Sequence, residues 1–79
     1  MLSTGNQLKA ARALAGLDQA ELAKRAKISV TTISNMEGVG AKTLRSSFET
    51  VRAVQRALES AGVEFTNGDS PGVRLKAKG

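Results

Sequence analysis

Four side chains between positions 30 and 35 are of the types that read the edges of base pairs. At the helical advance of about 100° per residue, they form one contiguous strip: Val30, Thr31, Ser34 and Asn35. Val30 and the methyl group of Thr31 suit a thymine methyl, and the Asn35 amide can pair bidentately with adenine N6 and N7. Such a strip would read double-stranded DNA in the major groove, at a site that contains A·T pairs.

A strip of this kind needs a helix that is held from behind and a turn that leads into it. The side chains opposite the strip are suited to contact a core: Thr32, Ile33 and Met36. The whole stretch 17–38 is typical of two short helices joined by a tight turn, with Asp18 capping the first helix and Ser29 the second. This helix-turn-helix arrangement presents its second helix to the major groove.

Four positions of this stretch follow a family pattern, in which Gln opens the first helix, Ala lies inside it, and apolar residues occupy the turn and the second helix: Gln19, Ala23, Ile28 and Ile33. The pattern resembles the helix-turn-helix of the phage Cro and repressor family, also called Xre-like. The resemblance covers about two thirds of the chain, from Leu8 to Leu58. It implies a lambda-repressor-like helical domain that regulates transcription, often as a repressor, and binds DNA as a dimer.

The resemblance also implies where the DNA backbone would be held. By position, Gln19 would contact a phosphate, and Lys42 and Arg45 would hold the backbone beyond the second helix. Two neighbours of Gln19 are expected to neutralise further phosphates: Lys24 and Arg25. Lys27 stands where the family commonly has Gly, at a turn position that tends to be left-handed and costs a non-Gly residue on the order of 1 kcal/mol.

The predicted reading helix leaves an alternative open, because it carries no Lys or Arg and ends in the acid Glu37. The most frequent specific contact, Arg to guanine, is therefore absent from this helix. Its apolar and hydroxyl-bearing surface would also fit a groove of a protein. The alternative is an antiactivator, or another regulator that binds a transcriptional activator instead of DNA; an antitoxin or a structural subunit is a third class.

Composition limits the remaining functions. The 79 residues make one domain, 1–79, and the net charge of +5 suits an anionic partner such as nucleic acid, although it also serves solubility. Without Cys or His there is no thiolate or imidazole metal site and no usual pair of nucleophile and base, so we expect neither an enzyme nor a metal or cofactor. No apolar run reaches a membrane span and no signal peptide is evident, which predicts a cytoplasmic protein.

The pattern predicts a mostly α fold: a compact four-helix, lambda-repressor-like helix-turn-helix domain with a C-terminal β-hairpin. The helices are expected at about 4–15, 18–26, 29–37 and 46–61, and the hairpin at about 63–76 around the turn 67–72. A hairpin alone is marginal in water, so it must lie on the helices or pair its edge with another chain.

Three further expectations concern the scaffold. The first helix should turn four apolar residues inward: Leu8, Ala11, Leu14 and Ala15. The fourth helix should begin with a capping pair of Ser46 and Glu49 and bury another four: Phe48, Val51, Val54 and Leu58. The segment 38–45 between the third and fourth helices, rich in Gly and basic, is expected to be a flexible loop anchored by Leu44.

Overall fold

Four helices and one hairpin make up the fold of this computed structural model, which describes residues 1–66 and 70–76. In chain order the elements are α1 (Gly5–Ala15), α2 (Gln19–Ala26), α3 (Val30–Gly38), α4 (Phe48–Ser60), β1 (Val63–Thr66) and β2 (Gly72–Leu75). The predicted class, mostly helical with a C-terminal antiparallel hairpin, is confirmed. Part of the predicted turn 67–72, namely 67–69, lies outside the described residues, as do 77–79 of the predicted domain. Within the described ranges, no helix is long and apolar enough to cross a membrane.

Every helix begins after a side chain that caps it, because the first backbone N–H groups of a helix have no partner inside it. In each case an oxygen accepts the N–H of the residue three positions later: Thr4, Asp18, Ser29 and Ser47. The expected start of α4 was one residue early. Ser47 Oγ accepts Thr50 N–H at 3.2 Å and donates to Thr50 Oγ1 at 3.0 Å, so this pair replaces the predicted Ser46 and Glu49.

The core lies where the four helices meet and is closed on one side by the hairpin. Its largest fully buried side chains are aliphatic and come from every helix and from β1: Leu8, Leu22, Ile33, Val54, Leu58 and Val63. The hairpin lies across α1 and α4, with β2 nearer α1 and β1 nearer α4. The buried Gln7 side chain fastens it there, since its Nε2 donates to Gly72 O at 3.0 Å.

Two side chains that were expected inside are exposed. Leu14 is 41% and Phe48 is 60% exposed. On α4 the buried stripe is centred between Val54 and Leu58 and takes in Ala57, so the helical period places Phe48 beyond its edge. The Arg52 guanidinium instead lies over the Phe48 ring, 5.9 Å from the ring centre. The prediction of burial was wrong at both positions, because matching a 3.6-residue period does not fix where the stripe is centred.

Candidate nucleic-acid interface

Helix α3 is held from behind and open in front. Behind it, Ile33 is fully buried and Met36 is 3% exposed. The opposite strip, which sequence analysis assigned to base reading, is exposed at all four positions: Val30, Thr31, Ser34 and Asn35. Packing through one face leaves the other free to contact a ligand without moving the helix.

The turn that leads into α3 has a fixed geometry. Lys27 adopts φ 59° and ψ 43°, the left-handed conformation that its position in the motif predicts. Because the Lys27 backbone is left-handed, the N–H of Ile28 donates to Ala23 O at 3.0 Å. Ile28 then lies partly buried against the core. The left-handed turn therefore sets the direction in which α3 leaves α2.

Glu37, the acid in the last turn of α3, points away from the exposed strip. Its carboxylate accepts Arg12 Nε–H at 2.7 Å and Arg12 Nη2–H at 3.1 Å, and its side chain is only 6% exposed. The hydrogen bond to Glu37 raises the pKa of Arg12 above its ordinary value, although burial opposes the shift. The negative charge is thus paired inside the domain and does not face the surface that the strip offers.

Gln19 belongs to the same cluster. Its Nε2 donates to Glu37 Oε1 at 3.2 Å, so α1, α2 and α3 meet at one carboxylate. Gln19 is the first residue of α2, and its side chain is half-buried. An amide nitrogen has two hydrogens, and the bond to Glu37 uses one of them, which leaves the second for an acceptor outside the protein.

The four cations assigned to DNA phosphates are exposed and flank α3 along the chain. Lys24 and Arg25 lie in the last turn of α2, before the motif turn, and Lys42 and Arg45 lie between α3 and α4. Arg45 lies close to the exposed strip, since it and Asn35 line the same hollow of about 270 Å³. The rest of its lining is largely apolar: Met36, Val39 and Leu44, together with Ser46.

The segment after α3 is tied down by backbone hydrogen bonds, which corrects the expectation of a flexible loop. Asn6 N donates to Gly40 O and Leu44 N donates to Ser3 O, both at 2.8 Å, and a β-bridge joins Thr4 to Thr43. Lys42 lies between these ties. Leu44 also packs against the core, as predicted. The composition of the loop predicted flexibility, but the N-terminal segment, which is distant in sequence, holds the loop in place.

One glycine that sequence analysis did not consider makes this arrangement possible. A Cβ on Gly5 would lie 2.6 Å from Met36 O, 2.9 Å from Glu37 O and 2.9 Å from Gly40 N. All three atoms belong to the backbone and cannot rotate away. The first turn of α1 therefore meets the last turn of α3 at a distance that only glycine allows.

Comparison with known proteins agrees with this geometry. Residues 4–66, which include all four helices and β1, match the family of the helix-turn-helix domain. No curated protein matches the chain. Among the described residues, no group of three or more acids is arranged to hold a metal ion. Because the match covers well over half of its length and the two motif helices are present, the chain belongs to the helix-turn-helix domain family.

Proposed function

We propose that this protein is a DNA-binding transcriptional regulator of the Cro and repressor (Xre-like) type, which inserts α3 into the major groove. The observation that carries the proposal is the two-sidedness of α3. Ile33 and Met36 fix one face in the core, and the four-residue strip on the other face is exposed. Membership of the helix-turn-helix domain family points to the same general role.

An acid near the end of the proposed reading helix could oppose DNA binding, but the position of Glu37 removes this objection. A carboxylate facing DNA would repel the phosphates, but this one is buried and paired with Arg12. The positive charges that flank α3 remain exposed: Lys24, Arg25, Lys42 and Arg45. The proposed surface therefore meets DNA with four cations and no unpaired acid on α3.

Base reading in this proposal depends on Asn35 and on methyl contacts. Asn35 would pair with adenine, and Val30 and Thr31 would contact thymine methyl groups. With no Lys or Arg on α3, guanine contacts are few and the binding site is rich in A·T pairs. As a homodimer, the protein would place two α3 helices in successive major grooves about 34 Å apart, so the site has two inverted halves.

Selection of bound duplexes from a random library tests this proposal. We expect wild-type protein to enrich inverted A·T-containing half-sites, and Asn35→Ala to lose the preference at one base pair of each half. The matched control is Asn6→Ala, which removes another exposed Asn from α1, outside the strip. Enrichment of one sequence by both variants and by wild type alike would remove Asn35 from base reading.

A second candidate function, an antiactivator that binds a transcriptional activator, is favoured by one observation. The hollow beside Asn35 has a largely apolar lining, which suits a side chain of a partner protein. In that case Val30→Asp and Ser34→Arg would abolish partner binding in a pull-down, whereas removing Lys42 and Arg45 would change it little. Duplex binding that fails at low salt, together with this mutational pattern, would replace the DNA proposal with the protein-binding one.

A further inference from the structure

The buried side chain of Gln7 holds two distant segments at once. Its Oε1 accepts Ser3 N–H at 2.6 Å and Ser3 Oγ–H at 3.2 Å, and its Nε2 donates to Gly72 O at 3.0 Å. Because Ser3 N–H is a donor and Gly72 O is an acceptor, the amide must present its oxygen to the first and its nitrogen to the second. Gln7 is only 4% exposed, so its side chain is a buried joint between the N-terminal segment and β2.

Ser3 passes this hold on to the loop between α3 and α4. Its carbonyl oxygen accepts Leu44 N–H at 2.8 Å, while its own N–H is bonded to Gln7. Beside these bonds, the hairpin and the loop are separated by a hollow of about 340 Å³, which Gly72 lines from β2 and Ala41 from the loop. A line of hydrogen bonds through Gln7 and Ser3 therefore connects the hairpin to the loop next to this hollow.

The loop held in this way carries two of the cations that are proposed to bind DNA phosphates. Lys42 and Arg45 flank the tied residues Thr43 and Leu44, and both side chains are exposed. A long side chain loses rotamer freedom when it binds a phosphate, and a loose loop would have to be ordered as well. Ties that fix the backbone beforehand remove the second cost and so favour both contacts.

We propose that Gln7 is a positioning residue for DNA binding: it fixes the loop 38–45 against the hairpin, so that Lys42 and Arg45 meet phosphates from a preordered backbone. Gln7 itself is buried and out of reach of DNA. The inference rests on the proposed function and deepens it, because it assigns part of phosphate binding to α1, outside the two motif helices. The hairpin then contributes to DNA binding as the anchor of the loop.

Hydrogen exchange in the absence of DNA measures the hold itself. Gln7→Met keeps the length of the side chain but removes its hydrogen bonds, so we expect Leu44 N–H to exchange about tenfold faster, as for the loss of about one hydrogen bond. The matched control is Gln55→Met on α4, which removes another hydrogen bond to the N-terminal segment, from Leu2 N–H to Gln55 Oε1 at 2.8 Å. It should change the exchange of Leu44 N–H by less than about twofold.

The same measurement on wild type needs no variant that might fail to fold. If Gln7 holds Ser3 and Ser3 holds Leu44, opening of the first bond also frees the second. Leu44 N–H should therefore be no better protected from exchange than Ser3 N–H, after correction for their intrinsic rates.

A thermodynamic cycle tests whether Gln7 acts through the two cations. Affinity for one random-sequence duplex is measured for wild type, for Gln7→Met, for Lys42→Ala combined with Arg45→Ala, and for the triple variant. We expect Gln7→Met to weaken binding by about fivefold in wild type but by less than about twofold where both cations are absent, since nothing is then left to position. A residue that only stabilises the fold would cause the same loss in both backgrounds. A circular dichroism melt checks that each variant is folded at the temperature of the titration.

Three results would overturn the inference. Leu44 N–H that exchanges no faster in Gln7→Met than in Gln55→Met would show that Gln7 does not hold the loop, and so would a wild-type Leu44 N–H better protected than Ser3 N–H. Equal losses of affinity in both backgrounds would remove Gln7 from phosphate binding. If wild type binds no duplex at low salt, the proposed function fails and the role in phosphate binding fails with it. The exchange experiment contains no DNA, so it still decides whether Gln7 holds the loop.

Discussion

The Glu37 carboxylate binds the Arg12 guanidinium through two hydrogen bonds, from Nε at 2.7 Å and from Nη2 at 3.1 Å. This pair joins the end of α3 to α1, and Gln19 of α2 donates to the same carboxylate. One acid thereby locks the three helices that orient the exposed strip. Its negative charge, which would oppose DNA binding if it faced the surface, binds Arg12 and Gln19 inside the domain instead.

We expect Glu37→Ala to lower the free energy of unfolding by about 3 kcal/mol, because it leaves the mostly buried Arg12 charge without the carboxylate that neutralises it. Urea unfolding at neutral pH measures the change. The matched control, Glu64→Ala, breaks an exposed ion pair with Arg74 and should cost less than about 1 kcal/mol. Equal losses for the two variants would show that the Glu37 pair does not lock the motif.

Gly5→Ala should destabilise the domain by about 1 to 3 kcal/mol, since its Cβ would overlap the backbone of α3 and of Gly40. Gly38→Ala is the control. Within the described part of the chain, a Cβ there would meet no atom outside its own helix within 4 Å, and the residue ends a helix, so we expect a gain of up to about 1 kcal/mol. A Gly5→Ala variant as stable as wild type would contradict the close approach of α1 and α3.

Lys27→Gly should raise the melting temperature or leave it unchanged. The strain of a non-Gly residue at φ 59° is relieved, and the relief is similar in size to the entropy that Gly costs. Lys27→Ala removes the same charge but keeps the strain, so the difference between the two variants isolates the backbone effect. If the Gly variant melted below the Ala variant, the turn would not be left-handed in solution.

Asn35→Ala and Lys42→Ala should separate base reading from phosphate binding. We expect Asn35→Ala to weaken specific binding by about 1 to 3 kcal/mol and to leave nonspecific binding nearly intact. Lys42→Ala should weaken both and lower the salt slope by about one. Affinities for a selected site and for a scrambled duplex provide the test, and an equal loss on both for Asn35→Ala would exclude its role in base reading.

Local patterns predicted much of the motif. The capping residues Asp18 and Ser29 lie next to the N–H groups they accept, and the left-handed Lys27 follows from its place in the family pattern. The helical period alone separated Ile33 from the exposed strip. These features depend on residues a few positions apart, and such relationships are visible in a sequence.

The features that sequence analysis missed depend on distant residues. Glu37 turns inward because Arg12, 25 positions earlier, is there to receive it. The loop 38–45 is held by hydrogen bonds to the segment 3–6. Gly5 is needed in that segment because α3 ends beside it, where the Cβ of any other residue would overlap the backbone. Phe48 is exposed because the buried stripe of α4 is set by what the helix packs against. No pattern within one segment reveals these partners.

The proposed binding of duplex DNA through phosphates around α3 can be measured by titrating purified protein against a random-sequence duplex over a series of salt concentrations. We predict binding at low salt, with log K falling linearly with log salt and the slope reduced by about two in a variant that combines Lys42→Ala with Arg45→Ala. If neither a random duplex nor fragments of the source genome bind at the lowest salt, or if the slope is unchanged in that variant, the protein does not bind DNA through these phosphate contacts.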